Sequence, residues 1–191
     1  MATNSDARPP LWLIPNLLSL DAPLVAVLWQ RLLATETHSM LRPTGQVVLA
    51  LSVWAIYIAD RLLDVRDPAT APSTLRHRFY LRHHRVATAL LIVISAANGL
   101  LILLALRAAV LRTGLVALSA VAAYLALLHA RRQAVKGFAK ETLVAALFTG
   151  GTFVIAWTGS ADPLTQLGQP AAAFFLLCLA NLVLLTLWES R

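Results

Sequence analysis

A chain of 191 residues with 59% hydrophobic side chains, 13% charged side chains and a mean hydropathy of +0.71 carries too much apolar surface for water to be its solvent. A soluble domain of this length hides at most one wholly apolar helix, whereas apolar runs of about 18 residues, enough to cross a ~30 Å hydrocarbon layer, recur along this chain. The net charge of +7 falls in connections beside those runs, without a nucleic-acid-binding motif around it. Anionic membrane lipid is therefore the expected partner of the basic residues, and nucleic acid is not.

The first 13 residues, with Asp6 and Arg8 ahead of Pro9-Pro10, lack the basic n-region and small-residue cleavage site of a signal peptide and are expected to be retained. Apolar runs over about 14–33, 44–63, 86–106, 110–130, 142–159 and 170–188 then predict six transmembrane helices. They make one all-α membrane bundle over 1–191. The first run holds Asp21, Pro23 and Gln30, which also suits a re-entrant or interfacial helix. Because the runs are continuous instead of alternating in ten-residue segments, a membrane barrel is excluded.

Basic residues set the orientation. Arg61, Arg66, Arg76, Arg78, Arg82 and Arg85 follow the second run, and Arg131, Arg132, Lys136 and Lys140 follow the fourth. The opposite side has Arg31, Arg42, Arg107 and Arg112, and the connection 160–169 has no base. Both termini are thus expected in the cytoplasm, in a membrane of the bacterial inner or plasma type.

Within the runs, Cys178 reads as a small apolar filler, and Asn98 and Asn181 as interhelical hydrogen-bond partners. Gly150-Gly151-Thr152 reads as a place where a neighbouring helix comes close. His77, His83 and His84 lack the i,i+4 spacing of a helical zinc site and read as interfacial or phosphate-facing residues.

Of the nine acidic residues, Asp60, Asp64 and Asp67 fall within eight positions at the end of the second run. Spacings of four and three place them on one helical face, and a helix over 44–67 is about 36 Å long, so its last turns pass beyond hydrocarbon before Pro68 ends it. Like charges at i,i+4, at the end of a helix where the macrodipole favours cations, cost a few tenths of a kcal/mol or more unless something positive is near. Neighbouring arginines are one source of it, as a solvated salt-bridge lattice. A magnesium ion is another, since it commonly takes one or two carboxylates and fills its other positions with substrate phosphate, whose oxygens arginines grip.

The stretch Asp60-Arg61-Leu62-Leu63-Asp64 resembles the end of the first acidic motif, N-D-x-x-D-x-x-x-D, of the UbiA-type intramembrane prenyltransferases. The likeness extends through the arginine-bearing connection that follows, Lys140-Glu141-Thr142 at the start of the fifth run, and Asn181 with Trp188-Glu189 in the sixth. Ile56 and Tyr57 stand where the family has Asn and Asp, with Asp67 as the residue to substitute for them. The chain corresponds to the family's first two thirds, and the second acidic motif would begin near Arg191. A missing C-terminal part or a second copy of the chain is therefore expected to complete the cavity.

The resemblance implies transfer of a prenyl group from an isoprenyl diphosphate to a lipid-soluble, apolar or aromatic acceptor. It implies Mg2+ on Asp60, Asp64 and Asp67, diphosphate on Arg61, Arg66, Arg78 and Lys140, and Tyr57 and Asn181 as further site residues. A second reading is a non-catalytic membrane component of the same fold. A phosphotransferase acting on nucleotide-activated alcohols is disfavoured by the absence of D-G and A-R elements between the aspartates, and a transporter by the scarcity of ionisable residues within the runs.

Overall fold

The computed structural model describes residues 14–36, 41–65, 75–106, 108–130 and 138–189, and among these every regular element is an α-helix. Asp67 and Arg66, like the N-terminal 13 residues, lie outside the described residues.

The first apolar run is broken in two. Helix α1 (Ile14–Leu17) ends in a tight turn in which the Leu20 N–H donates to the Pro15 carbonyl at 2.8 Å and the Ser19 N–H to the Asn16 carbonyl at 3.1 Å. This is a Schellman closure, with Ser19 in the left-handed region at φ 56°. Helix α2 (Asp21–Glu36) restarts at once, because Asp21 favours a helix N-terminus and Pro23 falls among first-turn positions whose N–H has no acceptor to lose. The turn is tied down from outside: the Trp54 indole donates to the Leu18 carbonyl at 2.8 Å, and the Ser19 and Tyr80 hydroxyls lie 3.5 Å apart. At 16 residues α2 is about 24 Å long, short of a full hydrocarbon crossing.

Helices α3 (Pro43–Val65), α5 (His84–Ala105), α6 (Ala108–Ala130) and α7 (Phe138–Gly159) match four of the remaining runs, with α4 (Leu75–Arg82) between α3 and α5. Helix α4 stands where the sequence suggested only a basic connection. Its Tyr80 is buried against Ile58 and Leu62 of α3 and Ala87 and Ile94 of α5, while Arg78 and Arg82 stay exposed. Helix α8 (Pro163–Glu189) starts well before the expected position 170. Asp162 accepts from the Thr165 N–H at 3.4 Å and Pro163 occupies the first helical position, so the helix begins there and carries Pro170 inside it.

Among the described residues, four helices are long and apolar enough to cross a membrane: Pro43–Val65, His84–Ala105, Glu141–Gly159 and Pro163–Leu184. The outward faces fit that role, since Leu24, Leu28, Ile92, Val93, Leu103, Leu104, Val116, Leu164, Leu176 and Leu184 are all exposed. So large an unpartnered apolar surface belongs in hydrocarbon.

The helices pack in the order α5, α3, α2, α7, α6, with α8 laid along α7. Leu33 of α2, Phe153 and Ala156 of α7, and Leu167 and Phe174 of α8 form one buried cluster, with Trp29 against Phe174 at a ring separation of 4.5 Å and Cys178 filling its edge. Asn98 Nδ2 donates to Ser52 Oγ at 2.8 Å, joining α5 to α3 as expected for an intramembrane asparagine. Helices α5 and α6 are joined through residues 106 and 107 yet do not pack along their lengths, so the row of helices stays open there.

The tight approach in the bundle is at Gly45, where an added Cβ would lie 2.8 Å from Ile155 Cδ1. Replacing Gly45 by Leu is expected to lower stability by about 1–3 kcal/mol. Because the obstruction is the end of a flexible side chain, Ile155→Ala in the same protein should restore part of the loss, as thermal unfolding of the detergent-solubilised single and double variants would show.

Candidate functional site

A cavity of about 430 Å³ occupies the space that α3, α5, α6 and α7 leave between them, with Gln30 of α2 also on its wall. Its size falls in the range of about 300–1,000 Å³ typical of small-molecule sites. Most of the lining is aliphatic. Ser95, Leu115 and Leu118 line it and are also exposed, which places its side opening between α5 and α6.

Small residues make this room. Gly99 of α5, Gly114 of α6 and Gly151 of α7 all line the cavity, and a Cβ at any of them would meet nothing within 4 Å. The expectation that Gly150-Gly151 marks a close helix contact is therefore corrected: Gly150 is exposed and Gly151 faces open space, because α7 turns its packed side toward Phe153 and Ala156. Close approach belongs to Gly45 instead.

One end of the cavity is aromatic, and a group of charged side chains lies beyond that end without lining it. Tyr57 lines it and meets Phe148 edge-on at 6.5 Å, one turn before Asp60 and Arg61 on α3. Tyr124 of α6 also lines it, within electrostatic reach of Asp60, Asp64 and Glu141. Asp60 and Asp64 are half-buried on successive turns, as their spacing predicts. Glu141, in the first turn of α7, is buried and adds a third carboxylate to the same end. The sequence signalled it only through its place beside Lys140, which stands in that first turn too.

Arg61 Nη1 lies 3.3 Å from Asp64 Oδ2, an i,i+3 ion pair with side chains 31% and 43% exposed, so its own contribution to stability is small. The pair leaves Arg61 Nε buried without an acceptor among the described residues. Among the described residues no group of three or more His, Cys, Asp or Glu side chains is placed to hold a metal ion. Two carboxylates on one helix face nevertheless suit magnesium, which draws its other oxygens from substrate phosphate and water.

Arg78 lies exposed on α4, and Asn181 is exposed on α8, a helix that contributes nothing to the cavity wall. Sequence reasoning passed over Tyr124, Glu141 and Gln30 as site residues. Comparison with models of protein families, with curated proteins and with solved structures gives no match.

Because the cavity glycines face empty space, bulk added there should fill the site without straining the fold. Gly114→Leu and Gly151→Leu are each expected to leave the thermal stability equal or higher, since Leu favours a helix over Gly by up to about 1 kcal/mol. Binding of an apolar fluorescent probe to the purified protein should fall at the same time, and a large drop in stability would show that these positions are packed after all.

Proposed function

We propose that this chain is a six-helix membrane protein with its termini in the cytoplasm, acting as a UbiA-like prenyltransferase on an isoprenyl diphosphate. Helix α6, 23 residues and about 34 Å long, and the shorter α2 complete the six alongside the four long apolar helices. Residues 14–36 and both ends of the described chain are consistent with this topology: α2 leaves the acidic end at Asp21 and α8 returns to it.

The observation that carries the reading is the junction of an apolar cavity with a charged end, where Tyr57 and Tyr124 separate the aliphatic lining from Asp60, Arg61, Asp64 and Glu141. An isoprenyl diphosphate is divided in the same way. Its chain suits the cavity, and its diphosphate suits the charged end beyond the two tyrosines, where Arg61 brings a guanidinium. Asp60 and Asp64 would hold magnesium, which would supply charge neutralisation for the leaving diphosphate. The cavity walls keep water from the allylic carbon while its bond to the diphosphate oxygen breaks, a bond to the acceptor forms, and the proton the acceptor gives up passes to the released diphosphate. Tyr57 and Tyr124, both on the cavity wall, are the aromatic side chains nearest the charged end that could stabilise positive charge developing on that carbon.

A second reading, a non-catalytic membrane component of the same fold, is favoured by the Arg61–Asp64 pair, because it balances one of the two carboxylates within α3. Turnover separates the two. The purified protein in lipid nanodiscs, given farnesyl diphosphate and an aromatic acceptor, is expected to release diphosphate only with magnesium, and Asp60→Asn or Asp64→Asn to reduce release by about a hundredfold or more, the scale of a lost charge-stabilising group. No release from the wild type, or equal release from both variants, would favour the non-catalytic reading.

A further inference from the structure

The cavity has a definite length. Its wall runs from Gly45 to Tyr57 on α3, from Val110 to Tyr124 on α6 and from Val144 to Ile155 on α7, which at the rise of an α-helix is about 18, 21 and 17 Å. The tyrosines mark the end next to the charged group, and the opposite end is closed by packing. There Ile155 Cδ1 lies 2.8 Å from where a Cβ on Gly45 would stand, so the two residues meet across the cavity. Leu106, which caps α5, and Val110, in the first turn of α6, line the same end. The gap between α5 and α6 opens above this floor: of the exposed lining residues, Leu115 lies nearest to it, about 7 Å beyond Val110 along α6.

An isoprenyl chain can be measured against that length. Each unit adds four carbon–carbon bonds to the backbone, about 5 Å when extended, so three units reach about 15 Å, four about 20 Å and eight about 40 Å. Chains of three and four units fit between the tyrosines and the floor, and a chain of eight does not. Volume gives the same limit, since at the packing density of a protein interior a unit fills about 110 Å³ and a cavity of about 430 Å³ holds about four.

Resting on the prenyl-donor reading, we propose that the cavity is a length gauge that accepts donors of up to four isoprene units, with Ile155 on Gly45 as its floor. Gly151 and Gly114 set the depth. Gly151 lies one turn above Ile155 on α7 and Gly114 one turn above Val110 on α6, and a side chain at either would enter open space. From the level of Val144 to Gly151 is about 10 Å, room for two units once that position is filled.

The test uses the full chain in nanodiscs, with neither magnesium nor acceptor, and tritiated prenols of two, three, four and eight units at equal mole fraction in the lipid. The alcohols keep the chain and leave out the diphosphate, so binding reads the cavity alone. The three- and four-unit prenols are expected to bind about tenfold more tightly than the eight-unit one, the scale on which a well-packed site rejects excess bulk. Gly151→Leu should weaken the three- and four-unit prenols about tenfold and leave the two-unit prenol within about threefold. Gly114→Leu raises the floor from the facing helix and should do the same, which keeps the test open if one of the two variants does not fold. Equal binding of four and eight units to the wild type would overturn the proposal, because the longer chain would then be leaving through the gap. An unchanged order of affinities in a folded Gly151→Leu or Gly114→Leu would overturn it as well. Since no turnover is read, failure here leaves the magnesium-dependent release assay standing, and failure of that assay leaves the length profile to be judged by itself.

Discussion

Hydrocarbon offers no hydrogen-bond partner, so each polar group carried by a helix of this kind must be met within the protein or left facing a cavity. Most of the hydroxyls are met locally. Thr152 donates to the Phe148 carbonyl at 2.9 Å, Thr158 to Val154 at 3.0 Å and Ser119 to Leu115 at 2.8 Å, each one turn back along its own helix. Asn98 is met across helices, by Ser52. What remains after these pairings is confined to a few places, the Arg61 guanidinium at the charged end among them. The location of chemistry in this molecule thus follows from where the solvent's demand goes unanswered.

The long spans were legible in the sequence because continuous apolar length is a strong signal, and α3, α5, α6 and α7 fall within a few residues of expectation. The ends that moved did so for local reasons. Asp162-Pro163 starts α8 early, and a left-handed Ser19 splits the first run between α1 and α2. Helix α4 escaped because its arginines mask the apolar pair Phe79-Tyr80, whose burial depends on α3 and α5 being side by side.

The site was legible only in part. Spacing alone placed Asp60 and Asp64 on one face of α3, since that geometry is internal to a helix. Which residues share a cavity depends instead on how helices lean on one another, and nothing local in Gln30, Tyr124 or Gly151 announces that they face the same space. Gly150 and Gly151 illustrate the ambiguity: a glycine pair permits both a close contact and a void, and only the packing of α7 against α8 decides between them. The Arg61–Asp64 pair is likewise a choice among several arginines that the sequence left equal.

The missing seam between α5 and α6 has a thermodynamic consequence. A ligand that passes through it arrives from the bilayer, and the concentration that governs its occupancy is its mole fraction among the lipids. Adding vesicles at fixed total ligand dilutes it in two dimensions and lowers occupancy, even when its amount per volume of water scarcely changes. For such a protein the membrane is part of the binding equilibrium, and an affinity has meaning only together with the quantity of lipid present.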